Sequence, residues 1–377
     1  MQNYNYFVNK TIFSTSYYVK TVKYCASFSR KLEKKKQTYL FFSNFVALLR
    51  HRAINMANKN TNLHQAKEAK KDEFYTRRED IEREMYHYRR QFEGKTVLCN
   101  CDDPRVSEFF QYFALNFEWL GLKRLICTCY KNNDIDLFSQ HNKEQAVYII
   151  YDGDKNGNNR IDLEELDVKP LKGDGDFRSR ECIELLKQAD IVVTNPPFSL
   201  FRQYVKQLMD YNKQFLIIGH QNAITYQEIF PYFKDNRMWL GYGFNRNCAH
   251  FISPNYEDTA SDADHREGMI RVSGVMWFTN LRVKKREDEM EFIKKYNSKE
   301  YPKYDNYDAI DVSKTQDIPE DYYGVMGVPI TFMTKYNPNQ FEIVGLMAST
   351  TVSDINFGYP FVNGERKYAR ILIRHKR

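Results

Sequence analysis

Between residues 72 and 281 the chain alternates two hydrophobic rhythms. Ile81, Met85, Tyr88 and Phe92 recur at steps of four, three and four, which predicts a helix over 80–92 closed by Gly94. A short apolar run, 95–100, then reads as a strand. The rhythm repeats as helix 107–121, with Ser107 as N-cap and Gly121 as stop, and strands 123–130 and 145–152. Further on come helix 180–189, strand 190–195, helix 200–211, strand 214–220, helix 226–235 and strands 237–243 and 274–281. Near-continuous Val/Ile/Leu strands between helices predict a mostly parallel sheet covered on both faces. Sheets of that kind bind ligands at the carboxyl ends of their strands.

The remainder is organised differently. Residues 282–377 predict a charged helix over 284–296, a Tyr/Asp/Pro-rich stretch, and strands 328–334 and 341–347. The expected class is α/β: a Rossmann-like unit with a mostly parallel central sheet, plus a smaller C-terminal α+β part. The expected boundaries are a basic extension over 1–55, a catalytic domain over 56–281 with insertions at 152–172 and 244–273, and a C-terminal part over 282–377.

Charge changes this picture only locally. The net charge is +7, but residues 1–55 hold ten Lys/Arg against the single acid Glu33. That segment is +9, so the rest of the chain is −2 and any polyanion site in it must be a local patch. Seven cysteines form no framework spacing, which suits a reducing, cytoplasmic setting. The longest early apolar run, 39–49, is too short to span a bilayer. The pairs Cys99/Cys101 and Cys127/Cys129 have donors for zinc, but each lies in an apolar strand and reads as core. No metal site is expected. "DKNGNNRIDLEE" (154–165) has the acceptor spacing of a calcium loop. A strand precedes it where a helix would be needed, so it reads as a polar hairpin insertion.

The chemistry concentrates at Asn195-Pro196-Pro197-Phe198, which ends the strand 190–195. Prolines donate nothing, so the local surface is mainly acceptors. The Asn195 side-chain oxygen and the Pro196 carbonyl would accept both N–H groups of a planar amino group, and Phe198 would stack on its ring. That fits alkylation of an exocyclic base nitrogen, where positioning does most of the work. The bland reading is a proline turn with a buried Phe.

This tetrapeptide resembles the catalytic motif of S-adenosylmethionine-dependent amino-methyltransferases. "DEFYT" (72–76) is similar to their Phe-Tyr-Thr segment, which implies cofactor contacts from Tyr75 and Thr76; Thr76 would otherwise cap a helix. Asp176-Phe177, in "GDGDFRS" (173–179), resembles the pair whose carboxylate accepts from the cofactor's adenine; otherwise it is a glycine turn with a helix cap. The usual glycine-rich loop after the first strand is replaced by "CNCDDPRVS" (99–107), leaving Asp102 and Asp103 as candidates for the cofactor's ammonium.

With "FALNFE", "FLIIGHQNAITY", "YDNYDAIDV" and "GVMGVPITFMTKYNPNQFEIVG" in order along the body, the chain from Met56 resembles the EcoRI-type adenine-specific DNA methyltransferase family. The resemblance implies N6-methylation of a flipped-out adenine in double-stranded DNA, in a restriction–modification system or as a solitary methylase. It implies no membrane and no obligate protein partner beyond a cognate restriction endonuclease. An RNA methyltransferase, or a DNA-binding module on a decayed fold, are the alternatives. The basic clusters proposed to face DNA are Arg246, His250, His265, Arg266 and Arg271 in the insertion, Lys284, Lys285 and Arg286, and the closing "RKYARILIRHKR". Each also reads as a solvated face.

Overall fold

The computed structural model describes residues 75–100, 107–128, 146–158, 161, 165–244, 248–252 and 269–376. The chain opens with β1 (Tyr75–Thr76) and α1 (Arg78–Met85), which tightens into a 3-10 turn over Tyr86–Gln91. After β2 (Thr96–Cys99) come α2 (Glu108–Leu115) and α3 (Phe117–Leu120). The predicted helix 107–121 is thus interrupted at Asn116, whose side chain donates back to the Tyr112 carbonyl at 2.8 Å. Ser107 caps α2, and Gly121 closes α3 in the left-handed region, φ 64°.

Next are β3 (Arg124–Thr128), β4 (Val147–Tyr151) and β5 (Asp167–Pro170). Helix α4 (Arg180–Gln188) leads to β6 (Ile191–Thr194), and α5 (Phe201–Asp210) to β7 (Gln214–His220). Helix α6 (Phe230–Lys234), β8 (Trp239–Leu240), β9 (Cys248–Ile252), β10 (Met269–Ser273) and β11 (Val275–Thr279) complete this part. Among the described residues eight strands form one sheet in the order β5-β4-β3-β2-β6-β7-β11-β8.

That sheet is mixed, which corrects the expected mostly parallel one. Only β3-β2, β2-β6 and β6-β7 run parallel; the β4, β5, β8 and β11 pairings are antiparallel. The apolar runs report burial on both faces, and an antiparallel strand covered on both sides reads the same way. Successive residues do go to opposite layers. Leu98, Ile126, Val192, Ile217 and Phe278 pack with α4, α5 and α6. Val97, Leu125, Val193, Ile218 and Trp277 pack with α1, α2 and α3. The stretch 154–165 joins antiparallel β4 and β5, as the hairpin reading requires.

Residues 282–376 contain a 3-10 turn at Lys284–Glu287, not the predicted helix 284–296. Beyond it the backbone is claimed from outside: Gln340 accepts from the Met290 N–H at 2.7 Å and donates to its carbonyl, and Asn337 donates to the Asp288 carbonyl. A helix needs those same groups internally. The strands are β12 (Ile310–Asp311), β13 (Met326–Pro329), β14 (Phe341–Met347), β15 (Phe361–Val362), β16 (Glu365–Arg366) and β17 (Arg370–His375). The predicted strand 328–334 is β13 plus a 3-10 turn over Ile330–Thr334. Among the described residues this part is a sheet, β12-β13-β17-β14, with a small hairpin and no α-helix, rather than α+β. Its Val328, Ile343, Ile371 and Ile373 join the core beneath α5 and α6.

In the closing "RILIRH" strand Arg370 and His375 are buried, while Arg374, like Arg366 and Lys376 beside the strand, is exposed. Arg370 pairs with Asp311, Nε to Oδ1 2.8 Å, at 8% and 5% side-chain exposure. The Tyr304 and Ser313 hydroxyls donate to the same carboxylate at 2.6 and 3.1 Å. Removing one partner strands a buried charge, so Arg370→Ala is expected to cost about 3–5 kcal/mol in urea unfolding.

Candidate active site

Strands β2 and β6 lie side by side at the centre of the sheet and end on polar residues at the same edge. Here the apolar ladder gives way to Asn100 after β2 and to Thr194-Asn195 in and after β6. All three are buried. The Thr194 hydroxyl donates to the Asn100 carbonyl, and the Tyr204 hydroxyl, from α5, donates to Asn100 Oδ1. This network joins the start of the β2–α2 connection to the strand before Asn195 and the helix after Phe198.

Asn195 is 8% exposed and its side-chain oxygen is closed from bulk water. Pro196 is buried, while Pro197 and Phe198 are half-buried. The turn into the following 3-10 segment uses the Pro197 carbonyl, which accepts from the Leu200 N–H at 3.0 Å. Phe198 keeps an exposed part while packing beside the α1–α2–α3 layer, unlike the buried Phe of the bland reading.

The predicted cofactor residues separate into three groups. Tyr75 and Thr76 form β1, which pairs with β9 in a three-stranded sheet β1-β9-β10. Strand β11 begins at Val275 opposite His220, the last residue of β7, and β10 ends immediately before it. The β9–β10 hairpin, with β1 on its flank, therefore extends from the carboxyl edge where Asn195 lies. Adjacent residues of a strand face opposite ways, so Tyr75 and Thr76 do not share a face. Tyr75 is half-buried; Thr76 is buried, and its hydroxyl makes no hydrogen bond among the described residues. Thr76 does not cap α1, since Arg77 stands at that position.

Asp176 and Phe177 precede α4, which Ser179 caps by accepting from the Cys182 N–H at 3.2 Å. Arg178 donates to Asp176 through its backbone N–H, Nε and guanidinium, and this holds the Asp176 carboxyl below its usual value. One lone-pair position on the outer oxygen remains for another donor. Phe177 is buried, with its ring edge-on to Tyr204 at 5.0 Å. It is thus core support for the network rather than an exposed contact face. Asp102 and Asp103 lie outside the described residues, between Asn100 and Ser107. So do Cys101, Cys129, Arg246, His265 and Arg266.

Cys99 and Cys127 are buried on neighbouring strands. Among the described residues no cluster of His, Cys, Asp and Glu could hold a metal ion. Glu165, at the last position of the calcium-like spacing, instead accepts from the Lys155 and Asn156 N–H groups at 2.9 and 3.3 Å. Of the basic candidates, Arg271 is exposed, His250 is half-buried, and Arg286 lies over the Trp239 ring at 4.2 Å.

Three participants escaped the sequence reading: Asn100, Thr194 and Tyr204. Their signal was modest, a polar residue closing each of two apolar strands. His220 was missed too. At the same edge, its Nδ1 accepts from the Asn222 N–H at 3.2 Å, and burial lowers its pKa.

The family model described as adenine-specific methyltransferase EcoRI matches residues 62–376. The type II methyltransferase M.EcoRI of Escherichia coli is 48% identical over 330 residues, covering 85% of this chain and 99% of the relative. The type II methyltransferases M.MgeORF184P of Mycoplasma genitalium and M.MpnI of Mycoplasma pneumoniae are 41% and 38% identical; each alignment covers 82% of this chain and 97% of the relative. No solved structure matches.

Both donors of the network converge on one residue, so their loss is coupled. Tyr204→Phe leaves Asn100 Oδ1 short of a donor and is expected to cost about 1–3 kcal/mol. Thr194→Val is expected to cost a similar amount, and the double variant less than their sum, as read by a urea-unfolding double-mutant cycle.

Proposed function

Since the chain belongs to the EcoRI adenine-specific methyltransferase family, we propose that it methylates the N6 amino group of one adenine within a specific duplex DNA sequence, using S-adenosylmethionine. The observation that carries this reading is the placement of Asn195-Pro196-Pro197-Phe198 at the end of a central strand, braced from both sides through Asn100.

A base in a duplex is stacked and paired, so the target adenine is flipped out to reach this edge. The Asn195 side-chain oxygen and the Pro196 carbonyl then accept the two amino N–H groups. This fixes the amino plane and leaves the nitrogen lone pair, normal to that plane, free for the methyl group that the cofactor would supply, the amino group giving up one proton as the methyl–sulfur bond breaks. Phe198 offers its exposed part to the purine face, where stacking is worth about 1–3 kcal/mol. The Asn100 network prevents Asn195 from swinging, which matters because a misplacement of about 1 Å can cost a hundredfold in rate. A neutral amino group with a fixed lone pair needs no strong base to attack.

The cofactor fits the residues present in one respect that the structure exposes. The Thr76 hydroxyl is a buried polar atom without a protein partner among the described residues, beside the catalytic edge. Thr76, with Asp176 for the adenine amino group and Asp102 and Asp103 for the ammonium, would hold it. Tyr75 would flank it from the other side of β1. When bound, S-adenosylmethionine supplies an electrophilic methyl group on a positively charged sulfur.

The unit 56–281, with insertions 152–172 and 244–273, is read as catalytic, and 282–377 as the part that recognises the DNA target. Arg271 on the hairpin, and Lys284 and Lys285 in the C-terminal part, supply cations for phosphates, with His250 opposite Arg271 in the hairpin. The first 55 residues are read as a basic extension outside the methylating unit. Among the described residues no helix is long and apolar enough to cross a membrane. We read the protein as cytoplasmic, acting alone or alongside a cognate restriction endonuclease.

Tritium from labelled S-adenosylmethionine is expected to enter DNA as N6-methyladenine, and not RNA or protein. Asn195→Ala is expected to reduce that transfer by about a hundredfold or more. Label in RNA alone, or undiminished label in DNA with the variant, would reject the reading.

A further inference from the structure

Helix α1 carries a carboxylate on its apolar stripe. Glu84 falls between Ile81 and Tyr88 and is 1% exposed. Its Oε1 accepts from the Tyr88 hydroxyl at 2.9 Å and from the Tyr242 N–H at 2.8 Å, and its Oε2 from the Gly243 N–H at 2.9 Å. Position 241 has no room for a side chain, because a Cβ there would overlap Glu84 Oε1 and stand 3.0 Å from Trp277 Cβ. The Tyr242 ring is held as well, stacked on His87 at 3.6 Å and 13°.

These residues form the root of the hairpin. Strand β8 ends at Leu240, the Gly241 N–H still bonds to the Trp277 carbonyl at 2.9 Å, and the chain then leaves the large sheet toward β9. Strand β9 pairs with β1, and α1 starts two residues after Thr76. Glu84 thus joins the segments that deliver two paired strands.

We propose that Glu84 is a positioning residue: its ionised carboxylate fastens the root of the β9–β10 hairpin to α1 and thereby sets the place of β1, with Thr76, against the bound cofactor. This rests on the reading of Thr76 as a cofactor contact.

A merely structural contact would be served by a neutral side chain, since a buried charge carries a desolvation penalty. Burial pushes the Glu84 carboxyl up to about 7, against the backbone N–H groups of Tyr242 and Gly243, the Tyr88 hydroxyl and the charge of Lys285, which all pull it down. The charged and titratable groups around it are Tyr88, Tyr242 and Lys285, with His87 behind Tyr242, its pKa lowered by burial and by Lys285. The folded value lies above the unfolded one. The contribution of Glu84 to stability is therefore full in acid and lost as pH rises through about 7. The ionised form, able to accept from both backbone N–H groups, prevails only above that pH. Fastening of the hairpin root and global stability thus change in opposite directions with pH, which separates the proposed role from a structural one.

The test is equilibrium binding of S-adenosylmethionine from pH 5.5 to 8.5, with hydrogen exchange at the Tyr242 and Gly243 amides corrected for intrinsic rates. Wild type is expected to bind about fivefold to tenfold more tightly at pH 8 than at pH 6, with greater protection of both amides at pH 8. Glu84→Gln is expected to bind about tenfold more weakly at pH 8, without that pH dependence. A folded Glu84→Gln variant of wild-type affinity overturns the proposal. So does a wild-type Kd that stays flat through pH 7, which decides the matter even if the variant fails to fold. Wild type that binds no cofactor at any pH rejects the Thr76 reading and the proposal with it, while the exchange data still report the clamp itself.

Discussion

A sheet covered on both faces must end somewhere, and its ends are where backbone and side-chain polar groups lose their ladder partners. In this protein the two central strands, β2 and β6, end side by side, and their closing residues satisfy one another. Asn100 takes a hydroxyl from Thr194 on its carbonyl and one from Tyr204 on its side chain. Buried polar groups bonded in this way are rigid, because any rotation leaves a desolvated donor or acceptor. Asn195 inherits its position from that rigidity.

The second constraint acts on the antiparallel side of the sheet. Strand β11 runs opposite to β7 and β8 runs with it, so β8 leaves and β11 enters the sheet at the carboxyl edge. That reversal puts the β9–β10 hairpin, and β1 with it, beside the catalytic strand. The mixed sheet is therefore the means by which residues from the start of the described chain reach a site formed more than a hundred positions later. Glu84 bonds the hairpin's root through a buried carboxyl group that accepts from the Tyr242 and Gly243 N–H groups.

The C-terminal sheet shares its core with α5 and α6, so the catalytic layer and the C-terminal part form continuous packing. Its inner ion pair, Arg370 with Asp311, is enclosed by Tyr304 and Ser313, which donate to the same carboxylate. The shared packing gives the C-terminal part a fixed relation to the helix that follows Phe198.

Much was legible in the chain itself. The step of four, three and four put Ile81, Met85, Tyr88 and Phe92 inside, because an α-helix followed by a 3-10 turn still keeps them on one side. The strand ends carrying Asn195, the caps at Ser107 and Ser179, and the hairpin over 154–165 are local matters of spacing and turn chemistry, and those are written in the sequence. Strand direction is not, since an apolar run says only that both faces are covered. Nor is the fate of "KKREDEMEF" (284–292), whose backbone groups are taken by Asn337 and Gln340 from far along the chain. Within the closing basic stretch Arg370 read as surface because charge is visible in sequence and a partner such as Asp311 is not. Asn100, Tyr204 and Glu84 acquire their roles only from neighbours that folding supplies. The sequence by itself determined which residues are candidates for the chemistry and where the central strand stops. The tertiary structure decided what holds them in place, because hydrogen bonds between distant segments have no period to read.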